Sequence, residues 1–293
     1  GSQKWYDFDQ LKDFTTQAKD PKWCRKVFDE LTALFCQWPN WKHRQNPELL
    51  AALVCCTWLQ STWNWRPLVS ITGKTGSAKT LFMQSILSKL FEPLVIFCEK
   101  TTEAGVRQKI GLTARPVLID EYESDKHRQA ILELFRTSSR GGSILRGSAN
   151  GVASSFGMKH IAWTGAIESG LRKAADQNRF ISIEMNEMPK DCRIKIPSAA
   201  DLHILGQKVL AVGMVHWSRV KELANLITEQ SAGVINIDSR LIESYSLPCA
   251  MLSSVLELNA QEAIGVMAHI LEDRNLTGSL QSDEEQVLVA IYE

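Results

Sequence analysis

The sequence predicts an α/β fold: a mostly parallel sheet flanked by an N-terminal and a C-terminal helical region. Three observations predict it. Short β-branched, apolar runs alternate with helical periodicity between residues 67 and 197, as in strand–helix–strand units. A glycine-rich stretch, "SITGKTGSAKT" at 70–80, stands at the first strand-to-helix junction. Before 67 and after 197 only helical periodicity is found. The predicted boundaries are therefore 1–66, 67–197 and 198–293.

Residues 1–66 read as helices over roughly 6–18, 21–37 and 46–63. Asn46 and Pro47 suit the start of the third, because proline is tolerated in a first helical turn. Seven of the nine tryptophans fall in this region, and aromatic residues on helices usually fill cores. The most apolar run, "LLAALVCCTWL" (49–59), is too short for a membrane span and predicts a buried helix. From 67 onward "PLVSIT" reads as a strand, 79–91 as an amphipathic helix, and "PLVIFC" (93–98) as a second strand. A short helix over 102–111 ends at a glycine. "RPVLIDEYE" (115–123) is nearly continuous in apolar character, as a parallel strand covered on both faces should be. A helix over about 125–138 puts Ile131, Leu134 and Phe135 on one face. Residues 138–159, rich in glycine and serine, read as a hairpin or long loop, and 160–167 and 180–185 as two further strands. Helices follow at about 201–229, 237–257 and 260–273, and "SDEEQ" (282–286) opens another with an acidic first turn.

Composition narrows the partners. Lys plus Arg equals Asp plus Glu at 33 each, so any anionic partner must be held by a local patch. Seven cysteines without a C-x-x-C pair suit neither a disulfide framework nor a metal site, and predict a reducing, cytoplasmic setting without membrane insertion. The opening Gly1-Ser2 reads as a cloning scar. The final "QVLVAIYE" predicts that the parent chain continues past Glu293.

The glycine stretch follows G-x-x-x-x-G-K-[ST] at every place except Ala78. Gly73, Lys74, Thr75, Gly76, Ser77, Ala78, Lys79 and Thr80 are thereby candidates for cradling phosphates with backbone N–H groups at a helix N-terminus. Lys79 would reach the β- and γ-phosphates of ATP, and the Thr80 hydroxyl would ligate Mg²⁺. Helix-like torsions at position 78 would tolerate the extra methyl, whereas a positive φ would strain it. Some forty residues on, "VLIDE" delivers two carboxylates at a strand's carboxyl end. Asp120 would hold Mg²⁺ and Glu121 would polarise the attacking water.

Two further features bear on partners. No acidic residue lies between Glu133 and Glu168, while Arg136, Arg140, Arg146, Lys159 and His160 do. Such a flexible, basic insertion suits a loop that grips a DNA backbone. After the next strand, Thr164 occupies the place of a polar γ-phosphate sensor. Arg172 and Arg179 are candidates for an arginine finger entering a neighbouring subunit's site, with Arg179 preferred. The alternative for both arginines is an ion pair with Asp176 or Glu184.

"WRPLVSITGKTGSAKT", "TTEAGVRQKIG", "PVLIDEYE", "ILRGSANG" and "AADQNRF", in that order, resemble the helicase part of primase–helicase proteins of phages, prophages and related mobile elements. That group is similar to the superfamily III helicases and other ring-forming ATPases of the AAA+ type. The resemblance spans about residues 46–186. It implies a P-loop NTPase core of the AAA+ kind and an ATP-driven DNA helicase or translocase in mobile-element replication. It further implies a homo-oligomer, a hexameric ring, on single-stranded or forked DNA, with a possible fused or associated primase. By position Lys79, Thr80, Asp120 and Glu121 match the nucleotide motifs and Arg179 the arginine after the last core strand, while Ala78 departs from the usual glycine. The competing expectation is an ATP-dependent switch or loader that assembles on nucleic acid without unwinding it.

Overall fold

The computed structural model describes residues 7–111, 113–121, 128–147, 153–167, 174–231 and 237–276. The chain opens with helices α1 (Phe8–Gln17), α2 (Pro21–Phe35) and α3 (Asn46–Trp58). The Asp7 carboxylate caps α1 by accepting from the N–H groups of Asp9 and Gln10, and Asp20 caps α2 with Pro21 in its first turn. Eleven of the thirteen residues of α3 are buried, so it is a core helix without a polar face. Strand β1 (Leu68–Gly73) follows. After the glycine loop come α4 (Lys79–Phe82), a π turn (Met83–Leu87) and α5 (Ser88–Leu90) as one continuous rod. The alternating region continues with β2 (Ile96–Cys98), α6 (Glu103–Ile110), β3 (Val117–Ile119) and α7 (Arg128–Ser139). Then come β4 (Ser143–Gly147), β5 (Ala153–Gly157), β6 (Ala162–Ala166), α8 (Ala174–Gln177) and β7 (Phe180–Met185). Helices α9 (Ala199–Ser231), α10 (Ser239–Val255) and α11 (Ala260–Asp273) close the described chain. The helix expected over 282–286 lies outside the described residues.

The central sheet has the order β2-β3-β6-β1-β7, and every pairing in it is parallel. The side-chain period of two splits its strands between two apolar layers. Leu68, Val117, Ile119, Ala162 and Phe180 face α6 and α7, while Val69, Ile71, Leu118, Trp163, Ile181 and Ile183 face the other side. That second layer holds α2, α3, α9, α10 and α11 in one apolar cluster, so the N-terminal and C-terminal helices share a core with the sheet. Gly206 of α9 lies against the Leu90 carbonyl, where a Cβ would come within 2.1 Å, and this close approach seats α9 on α5.

Two strands are shorter than the apolar runs predict. The carbonyls of Leu94 and Val95 accept from the Arg115 guanidinium instead of a neighbouring strand, so β2 starts only at Ile96. β3 stops at Ile119 because Glu121 turns to φ +52°, a left-handed torsion that no strand accommodates. The basic insertion is a hairpin: β4 and β5 pair antiparallel, with Arg146 opposite Ser154. Its foot is held at the sheet's N-terminal edge by Arg66, whose buried guanidinium donates to the carbonyls of Ser138, Gln60 and Trp63.

Most of the described tryptophans serve the core, although Trp38, Trp41, Trp63 and Trp163 do so from outside helices. Phe82, two residues past Thr80, sits edge-on to Phe35, Trp38 and Trp41 at 5.3, 5.1 and 5.2 Å between ring centroids. Each such pair adds about 1 kcal/mol beyond the area it buries. The N-terminal helices thus fix the rod that carries the glycine loop. Trp65 and Trp217, half-buried like Trp23, Trp41 and Trp58, each carry a cation over the ring.

Candidate active site

The glycine loop runs from the end of β1 into α4, at the carboxyl edge of the sheet, where ligands of open parallel sheets bind. Two of its carbonyls are turned outward. That of Gly76 accepts from the Met188 N–H at 3.0 Å, and that of Ser77 accepts from the Asn40 amide at 2.9 Å. The same amide also donates to the Asn186 carbonyl at 2.7 Å, tying the loop to the exit of β7. Inside the loop the Ser77 N–H donates to the Lys74 carbonyl at 3.1 Å, and with the Gly76 and Ser77 carbonyls turned away the remaining N–H groups can line a concavity suited to anions. The cavity there measures about 370 Å³ and is lined by Gly73 through Leu81 together with Glu121 and Ile167.

Ala78 answers the question its methyl poses. Its torsions are φ +61° and ψ +24°, in the left-handed region that favours glycine. Holding an L-residue there costs about 1–2 kcal/mol. The backbone keeps the glycine conformation with an alanine, so the loop is strained yet correctly formed.

Beneath the loop, Lys79 and Asp120 come together from different elements. Lys79 is nearly buried, with Nζ 3.9 Å from Oδ1 of Asp120, whose side chain is 1% exposed. The same Oδ1 accepts from the Glu121 N–H at 3.0 Å, while Oδ2 is buried without a hydrogen-bond partner among the described residues. An orphaned carboxylate oxygen beside a phosphate cradle fits a hydrated divalent cation, which commonly takes one or two protein carboxylates and completes its shell with water and phosphate. Thr80, exposed at the start of α4, supplies the hydroxyl expected of a second ligand. Glu121 is half-exposed and pairs with Lys100 at 3.5 Å.

Gly165 and Asn40 matter here and were missed by the motif. A Cβ at Gly165 would come within 2.4 Å of Asp120 Oδ1 and 2.5 Å of Met83 Sδ, so only glycine leaves room for the carboxylate. Its place inside the strand "AWTGA" was a readable hint of close approach. Asn40 had no local signal, because its partners Ser77 and Asn186 lie 37 and 146 residues away.

Other expected site residues lie elsewhere. Thr164 is fully buried in β6, below the rim, and its hydroxyl donates to the Val69 carbonyl at 3.2 Å. It does not line the phosphate cavity; Ile167, three residues further on, does. Arg179 does not follow the last core strand, as the resemblance implies, but precedes it: β7 begins at Phe180, so Arg179 lies at the opposite, amino edge of the sheet. Its guanidinium is 3.8 Å from Asp176, the ion pair foreseen as its alternative role, and Arg136 grips the same carboxylate with two bonds of 2.6 and 2.5 Å. Burial and then the neighbouring Arg240 and Arg140 guanidinium groups push the Arg179 pKa below its ordinary value. Arg140 and Lys159 are exposed at the two sides of the hairpin foot, and Arg146 is on β4. Arg172 lies outside the described residues. At about 3.3 Å per residue, the six residues of β1 separate this edge from the glycine loop by roughly 20 Å.

No protein-family profile matches the chain, and no curated protein does. Among solved structures, a full-length MCM homolog from Methanopyrus kandleri aligns at TM-score 0.48 and 11% identity, over 94% of this chain and 63% of that one. The NrS-1 C-terminal region aligns at TM-score 0.39 and 12% identity, over 84% and 69%. This chain therefore spans less than two thirds of the Methanopyrus protein's length. Likeness of this degree leaves the site's chemistry to rest on its own residues. Among the described residues no helix is long and apolar enough to cross a membrane, and all seven cysteines are free thiols.

Proposed function

We propose that this chain is the motor domain of an ATP-dependent DNA helicase or translocase serving replication of a phage or other mobile element. The observation that carries the reading is Asp120: a buried carboxylate with one open oxygen, beside Lys79, under a loop with the Gly76 and Ser77 carbonyls tied outward. In this reading Lys74 to Thr80 bind the phosphates, and the Lys79 ammonium offsets charge that builds on the γ-phosphoryl group. Asp120 and Thr80 would hold Mg²⁺, which when bound neutralises charge on the phosphate oxygens. Glu121 leaves Lys100 to take a proton from the attacking water, so that ADP and phosphate result. Thr164 supports the strand beneath the cradle. Arg179 acts across a subunit boundary in a homo-oligomeric, hexameric ring, while Arg140, Arg146 and Lys159 hold single-stranded or forked DNA. Seven free thiols suit a reducing cytoplasm.

The strained Ala78 and the Glu121–Lys100 pair favour a second reading, a nucleotide-dependent switch or loader that turns over slowly. ATP hydrolysis with and without single-stranded DNA, alongside particle size with and without ATP, separates the two. A motor is stimulated by DNA in the assembled state; a switch assembles without stimulation. No ATP binding at all would sink both.

A further inference from the structure

A second cavity, of about 240 Å³, lies at the amino end of β1. It is formed by Trp63 and Trp65, which precede that strand, and by α9 and α10. Its wall holds Lys221, Asn225, Glu229 and Glu243 beside the two indoles. Both rings are anchored by their N–H groups, Trp63 to the Cys56 carbonyl at 2.9 Å and Trp65 to the Ser244 hydroxyl at 3.3 Å. Ser244 in turn donates to the Asn178 carbonyl, one residue before Arg179. The indoles are therefore held as fixed surfaces, and Trp65 remains half-exposed. Two cations stand at the margin: the Arg140 guanidinium lies 5.8 Å from the Trp65 ring centre, and Lys221, in the cavity wall, has its Nζ 4.8 Å from the ring centre of Trp217, outside that wall.

A rigid aromatic wall, hydrogen-bonding groups within, and cations at the margin describe a binder of flat, polar rings attached to anions. Carboxylates exclude phosphate from the interior but accept from exocyclic amino groups. We propose that this cavity takes one unstacked base of a single-stranded nucleic acid. The base stacks on Trp65, with its amino edge toward Glu243 and Glu229 and its phosphates toward Arg140 and Lys221. The size fits one base and excludes a duplex. Arg140 is also the first residue of the hairpin foot, so a strand gripped by the hairpin passes this cavity. The proposal rests on the reading of this chain as acting on single-stranded DNA, and adds to it a preference for amino-bearing bases.

The test is fluorescence anisotropy with labelled oligo-dC and oligo-dT, on the full chain, across a salt series, with ATP hydrolysis of the unaltered protein measured in parallel. Oligo-dC should bind several-fold tighter than oligo-dT, because thymine offers no amino group. Trp65→Leu should weaken oligo-dC by about tenfold, the usual worth of one stacked base. Glu229→Met with Glu243→Met, which keeps the length but removes the acceptors, should erase the dC preference while oligo-dT binding does not fall. Equal affinity for both oligomers in the parent, or a preference that survives the double variant, overturns the proposal and leaves the motor reading standing. A dC preference that depends on Trp65 in a protein without ATPase activity supports the cavity and overturns the motor. Free dCMP binding as tightly as oligo-dC overturns the assignment to a strand.

Discussion

The two edges of the central sheet are built by opposite means. At the carboxyl edge the chemistry is compressed: backbone N–H groups, one nearly buried lysine, one buried aspartate and two left-handed non-glycine residues, Ala78 and Glu121. At the amino edge it is spread out over long side chains: Arg66 on three carbonyls, Arg136 and Arg179 on one aspartate, and exposed Arg140 and Lys159 beside a hairpin. A buried, fixed set of charges suits a transition state, where reorganisation is costly. Long exposed cations suit a polyanion that moves past, because each contact must be made and released. On the proposed reading, the length of the sheet is what would let one sheet carry both tasks apart from each other.

The largest effects should come from the carboxyl edge. Lys79→Ala should lower ATP hydrolysis by at least about a hundredfold, since the remaining dipoles cannot replace a buried ammonium. Glu121→Gln should keep ATP binding and cut turnover by about 10²–10⁴. Turnover at the parent rate in either variant would erase the division between the edges.

Next in size is an acid sensitivity confined to the amino edge. His160 is buried at the hairpin foot, exchanging hydrogen bonds with Ser138, and its Nδ1 accepts from the Lys159 N–H. Burial, with the Arg66 guanidinium adding, pushes its pKa down to about 4. The folded state therefore binds fewer protons than the unfolded one between the ordinary value near 6.5 and about 4. Stability is full above that window and is lost as pH falls through it, by up to about 3 kcal/mol. Urea midpoints at about pH 7 and about pH 5 should fall more for the parent than for His160→Gln. Equal losses in both would remove His160 as the cause.

Smaller still is the grip. Arg140→Ala with Arg146→Ala should weaken single-stranded DNA binding and reduce the slope of log K against log salt by about one unit per lost contact. ATP hydrolysis without DNA should change little, because the loop is roughly 20 Å away. An unchanged salt slope returns the hairpin to an ordinary solvated element. The smallest effect belongs to Ala78→Gly, which relieves a torsion of about 1–2 kcal/mol but gives back part of it to the looser unfolded chain. The melting midpoint should rise slightly, and ATP turnover should shift no more than a few-fold.

The sequence by itself determined the alternation of strands and helices, the glycine loop, and the strand that delivers Asp120 just past its end. Each of these is written in neighbouring residues, where periodicity and torsional preference act. It also marked Ala78 as the position at risk, but not which torsion that residue would adopt. Only the tertiary structure decided that Lys79 meets Asp120, that Gly165 makes room for the carboxylate, and that Asn40 turns the loop. It placed Thr164 under the site and Arg179 at the far edge with Asp176. It also shortened β2 and β3, because Arg115 takes the carbonyls a strand would have used and Glu121 turns left-handed. These outcomes depend on partners distant in the chain, and a local pattern carries no record of which groups will meet.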